Sequence, residues 1–195
     1  IIVYSIFTAI IEYLDLKIDV YVDPSKLKQI EEFNGFIKKV LGFSDGIPRI
    51  TLNGRINRVG VTNAADRGLD MWANFGLAIQ VKHLSLTEEL AENIVNSVSS
   101  DRIIIICKDG EERLILSLLN QIGWKSKIRS VVVESELISW YETGLRGKLS
   151  NSIGNNILNY LKSEIEVEFP STNTKEFNKF IKARKYETIT DKYWL

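Results

Sequence analysis

Two short runs of alternating apolar and polar residues flank Asn74-Phe75-Gly76, and this pattern constrains the fold more than any other feature of the sequence. Alternation is typical of a β-strand with one buried face, and a short glycine-containing link between two such runs is typical of a hairpin turn. The segment therefore predicts a β-hairpin whose turn centres on the phenylalanine. In that register Asp70 lies opposite Gln80. Met71 lies opposite Ile79.

The predicted hairpin has one polar and one apolar face, because side chains alternate along a strand. Asp70, Gln80 and Lys82 share the polar face. The apolar face is predicted to be core beneath a helix that begins near Leu86, and it comprises Leu69, Met71, Ile79 and Val81. Carboxylate and amide oxygens suit Mg²⁺, and a nearby amine can orient a water or offset charge on a phosphate. The pattern therefore predicts a magnesium site that works on phosphate; the alternative is a solvated hairpin face.

The residues before the hairpin are predicted to be mostly helical. Apolar residues recur at helical spacing over 1–15 and again to about residue 42. The second helix begins at Asp23-Pro24, where aspartate caps the helix and proline takes its first position. Residues 17–22 alternate and favour either a short strand or an irregular link. Residues 43–57 are rich in Gly, Pro, Asn and Asp, which predicts a loop with a short strand at 50–52.

Helices and strands alternate after the hairpin. Residues 102–107 include a continuous apolar run, which is typical of a strand buried on both faces. The other predicted elements are a strand at 128–133 and helices at 86–98, 111–122, 135–145, 153–165 and 175–184. This order predicts an α/β fold with a mixed β-sheet core flanked by helices and with helical N- and C-terminal extensions.

The length of the chain, its single cysteine and its single histidine restrict the class of protein. A chain of 195 residues can form one sizeable core, so a single domain is predicted over 1–195. Within it we expect a mostly helical part at 1–58, a core at 59–150 and a helical part at 151–195. The single cysteine, Cys107, excludes a disulfide framework and fits a reducing cytoplasm. The single histidine, His83, leaves Ser-His and two-His metal chemistry incomplete.

The chain ends and the charge balance add further expectations. The sequence begins Ile-Ile-Val without a methionine, which predicts a fragment of a longer protein. Neither a signal peptide nor a membrane span is predicted. The 25 basic and 25 acidic residues give zero net charge, which counts against nucleic-acid binding by bulk charge. A local basic cleft remains compatible with this balance.

The segments Thr62–Gly76 and Ala78–Leu86 resemble the PD-(D/E)xK nuclease superfamily and, within it, type II restriction endonucleases of the HaeII kind. The resemblance implies a restriction-endonuclease-like fold and Mg²⁺-dependent hydrolysis of phosphodiester bonds in duplex DNA at a short specific site. It also implies that Asp70 and Gln80 bind the metal and that Lys82 serves the attacking water, these three being the catalytic residues. Gln80 departs from the Asp or Glu that is usual at its position, which removes one charge.

Several residues are candidates for DNA contacts. The basic candidates for phosphate are Arg55, Arg58, Arg67, Lys125, Lys127, Arg129, Arg146 and Lys148. Lys125, Lys127 and Arg129 alternate at the start of a strand, although lysine at an edge strand also resists aggregation. The candidates for base edges are Asn63, Asn74, Gln121 and Asn151, because asparagine and glutamine can pair with adenine. We assign DNA binding to Lys125, Lys127, Arg129, Arg67 and Asn63.

Two functions are compatible with these residues. The first is a type II restriction endonuclease acting on double-stranded DNA as a homodimer, because palindromic cutting implies two copies of the site. The alternative is a catalytically inactive nuclease fold that serves as a DNA-binding or assembly module. Asp70 and Lys82 favour the enzyme, whereas Gln80 and the zero net charge favour the module.

Overall fold

A computed structural model of the chain describes residues 1–44, 47–59, 69–81, 102–121 and 128–186. The strands are β1 (Lys17–Tyr21), β2 (Arg49–Asn53), β3 (Ile56–Arg58), β4 (Met71–Ala73), β5 (Leu77–Val81), β6 (Arg102–Cys107) and β7 (Ile128–Val133). The helices are α1 (Ile2–Tyr13), α2 (Leu27–Glu32), α3 (Asn34–Phe36), α4 (Glu112–Gln121), α5 (Glu134–Arg146), α6 (Asn155–Glu168) and α7 (Lys175–Ala183). Short 3₁₀ turns (Pro24–Lys26, Asp109–Glu111, Pro170–Asn173) and π-helical turns (Ile37–Leu41, Ser150–Gly154) link some of them. The predicted helix at 86–98 lies outside the described residues.

The five-stranded sheet has the order β3-β4-β5-β6-β7. β3, β4 and β5 pair antiparallel, whereas β5, β6 and β7 pair parallel. The predicted mixed sheet is therefore confirmed. β3 falls mostly within the loop that we predicted over 43–57, so that prediction is wrong there, and the sheet begins before the predicted core boundary at 59. Three residues are too few to show alternation, and pairing with β4 makes them a strand.

The N-terminal part contains strands as well as helices. β1 and β2 form a separate antiparallel pair, which confirms the short strand predicted at 50–52 and shows that 17–22, predicted as either a short strand or an irregular link, contains a strand. Asp23 caps the following turn as predicted, because its Oδ1 accepts a hydrogen bond of 2.8 Å from the Ser25 N–H. The predicted continuous helix to residue 42 is wrong in detail, because the helix breaks at Phe33. Ile37 of this segment is buried.

One face of the large sheet packs against α1. Met71, Ile79 and Ile106 on the sheet form a buried cluster with Val3 of α1. Of the predicted apolar face of the hairpin, Met71 and Ile79 are core, whereas Leu69 and Val81 are half-buried. Among the described residues α1 covers this face, and the helix predicted to begin near Leu86 lies outside them.

α1 also packs against the C-terminal helices α5 and α6. Ile6, Ala9 and Ile157 are fully buried there. The backbones approach closely: a Cβ atom on Gly144 of α5 would lie 2.6 Å from Ile157 Cδ1, and one on Gly154 would lie 2.9 Å from the Gly144 carbonyl oxygen. At Gly154 the neighbouring atom belongs to the backbone and cannot move aside as a side-chain end can, so only glycine fits there. Among the described helices, none is long and apolar enough to cross a membrane.

Candidate active site

The hairpin has the predicted register. Met71 pairs with Ile79, and Trp72 pairs with Ala78. Gly76 in the turn has a φ of +81°, a left-handed conformation that glycine adopts without steric strain. Asp70 precedes Met71 and Gln80 follows Ile79, so this register brings Asp70 next to Gln80.

Asp70 lies immediately before β4 and is held between two neighbouring strands. Its carbonyl oxygen accepts a 3.0 Å hydrogen bond from the Val59 N–H, and its own N–H donates to the Ile79 carbonyl oxygen at 3.3 Å. Its carboxylate oxygen Oδ2 accepts a 2.7 Å bond from the Val81 N–H. Asp70 therefore contacts the residues on both sides of Gln80, while its side chain stays exposed.

Gln80 is fully buried in an apolar environment. Its exposed fraction is 0%, and it pairs with Ile105 of β6. Ala78 and Ile103 lie on the same face of the sheet and are buried too. Neither Oε1 nor Nε2 of the amide has a hydrogen-bond partner in the part of the chain that the structure describes. A buried polar group without a partner costs about 1–3 kcal/mol, so this amide is a poor choice for stability alone.

The sheet face that carries Gln80 is buried at β5 and exposed to solvent at β4. Trp72, which pairs with Ala78, is 44% exposed. Asp70 is exposed beside it, whereas Gln80 one strand away is not. The carboxylate and the amide therefore lie at the border between solvent and core. Such a border can admit a ligand from one side and hold it by a desolvated group on the other.

Arg58 forms a double ion pair near this site. Nη1 lies 2.6 Å from Glu164 Oε2, and Nη2 bonds to Glu168 Oε2. The exposed fractions of the three side chains are 20%, 20% and 18%. We predicted that Arg58 contacts phosphate, but both of its amino groups bind glutamates of α6. Glu164 and Glu168 are one helical turn apart, so they lie on the same face and can share one arginine.

The same ion pair lies close to Asp70. Arg58 pairs with Met71, the residue that follows Asp70, and the Val59 N–H after Arg58 donates a 3.0 Å hydrogen bond to the Asp70 carbonyl oxygen. The ion pair is therefore anchored on the strand next to Asp70. Sequence reasoning did not find Glu164 or Glu168. The signal that could have found them is their four-residue spacing in an amphipathic helix.

The remaining predicted site residues are placed only in part. Arg129 is exposed on β7, where a shift of the pairing with β6 leaves it without an opposite residue. It lies two strands from β5, and the structure does not bring it into contact with Asp70. The other predicted residues, Lys82, Arg67, Asn63, Lys125 and Lys127, lie outside the described residues.

Cys107 ends β6 but is not suited to nucleophilic chemistry. The thiol is buried, with an exposed fraction of 4%. Burial, with the nearby charges of Glu111, Glu112 and Asp109, raises its pKa to about 11. The reactive thiolate is therefore a minor species at neutral pH.

We expect Cys107 to resist alkylation in the folded protein. At pH 8 only about one thiol in a thousand would be ionised, and the side chain is buried as well. Iodoacetamide labelling, followed by intact mass spectrometry, should be at least about a hundredfold slower in buffer than in 8 M urea. Because the chain has one cysteine, each label reports on this position. Rapid labelling in buffer would contradict the buried position.

Comparison with known proteins gives consistent matches. A family model described as HaeII restriction endonuclease matches residues 1–186. The type II restriction enzyme HaeII of Haemophilus aegyptius is 54% identical over 191 residues, which cover 98% of this chain and 54% of that protein. The type II restriction enzyme NgoBI of Neisseria gonorrhoeae is 50% identical over 192 residues, which cover 97% of this chain and 54% of that protein.

These matches agree with the architecture. The chain spans about half the length of the curated relatives it matches. No solved structure matches it. The five-stranded mixed sheet with flanking helices is consistent with the restriction-endonuclease-like fold that the hairpin residues implied. Because the family model matches nearly all of the sequence, this chain belongs to the HaeII restriction endonuclease family.

Proposed function

We propose that this chain carries the DNA-cleaving site of a type II restriction endonuclease. The enzyme hydrolyses phosphodiester bonds of duplex DNA at a short specific site and uses Mg²⁺. The observation that carries the proposal is the bond between the Asp70 carboxylate and the Val81 N–H, which holds an exposed acid beside the amide of Gln80, a buried group with no partner among the described residues. The names of the two relatives support the same activity.

The donor atoms of Asp70 and Gln80 fit a magnesium ion. Asp70 offers an anionic oxygen, and the buried Oε1 of Gln80 would gain the partner that it lacks among the described residues. Those residues contain no group of three or more His, Cys, Asp or Glu side chains that could hold a metal. Mg²⁺ accepts such a thin set, because it binds one or two carboxylates and keeps water and phosphate oxygens as its other ligands. When bound, it would stabilise charge on the phosphate and acidify a water.

In this proposal the protein side chains have separate roles in catalysis. Lys82 follows Val81 in the sequence, and the Val81 N–H bonds to the Asp70 carboxylate. The Lys82 amine orients the attacking water and offsets charge that develops on the phosphate. Gln80 and its isoleucine neighbours exclude bulk water from one side of the site, which strengthens these electrostatic interactions.

The DNA contacts and the assembly are also proposals. Arg67, Asn63, Lys125, Lys127 and Arg129 contact double-stranded DNA, Asn63 through a base edge and the cations through phosphate. Two copies form a homodimer, so that both strands of a palindromic site meet a catalytic centre. The cytoplasm is a suitable compartment, because it keeps the single buried cysteine reduced.

Plasmid digestion tests the proposed function. Purified protein is incubated with supercoiled plasmid DNA in Mg²⁺ or in EDTA. We expect discrete fragments with Mg²⁺ and intact plasmid with EDTA. Absence of fragments together with retained DNA binding would instead support the inactive module. The neutral side chain of Gln80, which gives the site one charge less than two acids would, favours that second function.

Substitution of Gln80 separates a metal ligand from a packing residue. We expect Gln80→Met to stabilise the fold by about 1 kcal/mol, because an apolar side chain of similar size replaces a buried amide that has no partner in the described part of the chain. The Met variant should also lose any rise in melting temperature on addition of Mg²⁺. Gln80→Glu should be less stable in EDTA, since it buries a carboxylate. The Glu variant should regain stability in Mg²⁺ and bind the ion at least as tightly as the wild type.

Urea unfolding and calorimetric Mg²⁺ titration of the three proteins check this. Two results would argue against a metal-binding Gln80. One is a large loss of stability in the Met variant, which would show that the amide is structural. The other is an identical Mg²⁺ affinity in all three proteins.

A further inference from the structure

α7 carries a stripe of three lysines that the site described above does not use. Lys175, Lys179 and Lys182 have the spacing i, i+4 and i+7, so they lie on one side of the helix. All three are exposed. None of them belongs to an ion pair among the residues that the structure describes. The stripe is about 10 Å long at 1.5 Å per residue.

The opposite side of α7 is apolar and partly exposed, with Phe180 exposed to 47% and Tyr186, just after the helix, to 62%. The rings of Phe177 and Phe180 lie 6.5 Å apart, and Tyr186 lies 6.0 Å from Phe180. The Arg184 guanidinium lies 5.6 Å from the centre of the Phe180 ring. Thr174 caps the helix by accepting a 3.2 Å bond from the Phe177 N–H. The helix therefore has a defined start and a lysine side that faces solvent.

The charge of this segment departs from that of the whole chain. Residues 175–186 contain the five cations Lys175, Lys179, Lys182, Arg184 and Lys185, and the single acid Glu176. The chain as a whole has zero net charge. For a local cationic surface on a neutral protein, binding to an anionic partner is a better explanation than general solubility.

The segment is tethered close to the candidate active site. Glu168, the last residue of α6, bonds to Arg58, which pairs with Met71, the residue that follows Asp70. α7 begins seven residues later, and seven residues span at most about 25 Å. Duplex DNA carries one charge per about 1.7 Å of its axis, so a duplex at Asp70 also presents phosphates at this distance.

We propose that the lysine stripe of α7, Lys175, Lys179 and Lys182, binds the phosphate backbone of duplex DNA away from the bond that is cut. The inference rests on the proposed function. The stripe contributes affinity and salt dependence without reading sequence, because phosphates are the same at every base pair. A basic amphipathic helix could also lie on an anionic membrane. DNA is favoured here because α7 is tethered near Asp70.

The test compares two triple variants of the full chain. One replaces Lys175, Lys179 and Lys182 by glutamine, which keeps helix propensity and removes three charges. The matched control replaces the exposed lysines Lys26, Lys28 and Lys39 by glutamine and makes the same change in net charge. Fluorescence anisotropy in EDTA measures binding to a labelled duplex of mixed sequence over a series of salt concentrations. Circular dichroism confirms that both variants fold.

We expect the α7 variant to bind at least about tenfold more weakly, with a plot of log affinity against log salt that is shallower by up to about 2.7. The control should match the wild type. Equal affinity and slope in all three proteins would overturn the inference, while plasmid cutting by the wild type would leave the proposed function intact. Loss of binding to phosphatidylserine vesicles with unchanged DNA binding would also overturn it. A wild type that neither binds nor cuts DNA would end both proposals.

Discussion

Asp70→Asn is expected to abolish DNA cleavage and leave the fold intact. Asparagine can still accept the hydrogen bond from the Val81 N–H through its amide oxygen, so local structure is kept. It lacks the negative charge that a metal requires. We expect a loss of at least about a thousandfold in cutting, since removing even one neutral donor to a transition state costs about 10²–10³ in rate. Asp70→Ala should lose cleavage too and about 1 kcal/mol of stability, because the Val81 N–H loses its acceptor.

The control for Asp70 is a second acid with a similar backbone contact. Asp109 accepts a 3.1 Å hydrogen bond from the Ser135 N–H and lies after β6 rather than beside Gln80. Asp109→Asn should therefore keep cutting. Plasmid nicking rates and DNA-binding affinities of the three variants decide the matter. Near wild-type cutting by Asp70→Asn would remove Asp70 from the site, and equal losses in Asp109→Asn would show a structural rather than a catalytic effect.

Arg58→Met is expected to have the largest effect on stability. The substitution leaves Glu164 and Glu168 partly buried, close together and without their shared cation. Breaking a buried ion pair by removing one partner costs about 3–5 kcal/mol, and these side chains are only slightly exposed, so we expect about 3 kcal/mol. The ion pair joins β3 to α6, so its loss should also loosen the strand beside Asp70.

Two further variants test the cause of that loss. Combining Arg58→Met with Glu164→Gln and Glu168→Gln should recover most of the stability, because it removes the uncompensated charges. Arg49 pairs with Asp19 at 2.7 Å on the surface, with exposed fractions of 62% and 43%. Arg49→Met should cost below about 1 kcal/mol. Urea unfolding gives all three values, and an Arg58→Met loss no larger than that of Arg49→Met would show that the double ion pair contributes little.

The hairpin was predictable because the residues that determine it are close together in the sequence. The alternating runs and the turn at Gly76 determine which residues face each other, and the register of Met71 with Ile79 follows. The parallel strand at 102–107 was predictable for a similar reason, since a run of isoleucines can be buried on both faces. β3 was not predictable, because a three-residue strand depends on its partner rather than on its own pattern.

The environment of the site was less accessible from sequence. Alternation places Gln80 on the face opposite Ile79, but it does not say whether that face meets water or core. The ion pairs of Arg58 join residues more than a hundred positions apart, and only the folded chain brings them together. Arg58 therefore looked like a phosphate contact until its partners were known.

The contacts at the two ends of α6 determine how many residues the helix must contain. Its first turn follows the close contact between Gly144 and Gly154, and its last two turns carry the glutamates that bind Arg58. The 14 residues of the helix, which include both glutamates, span about 20 Å as a stiff spacer. One inserted or deleted residue would rotate the glutamates by about 100° around the helix axis and separate them from Arg58. Insertions among relatives should therefore be tolerated at 169–174, after the spacer ends, and excluded within it.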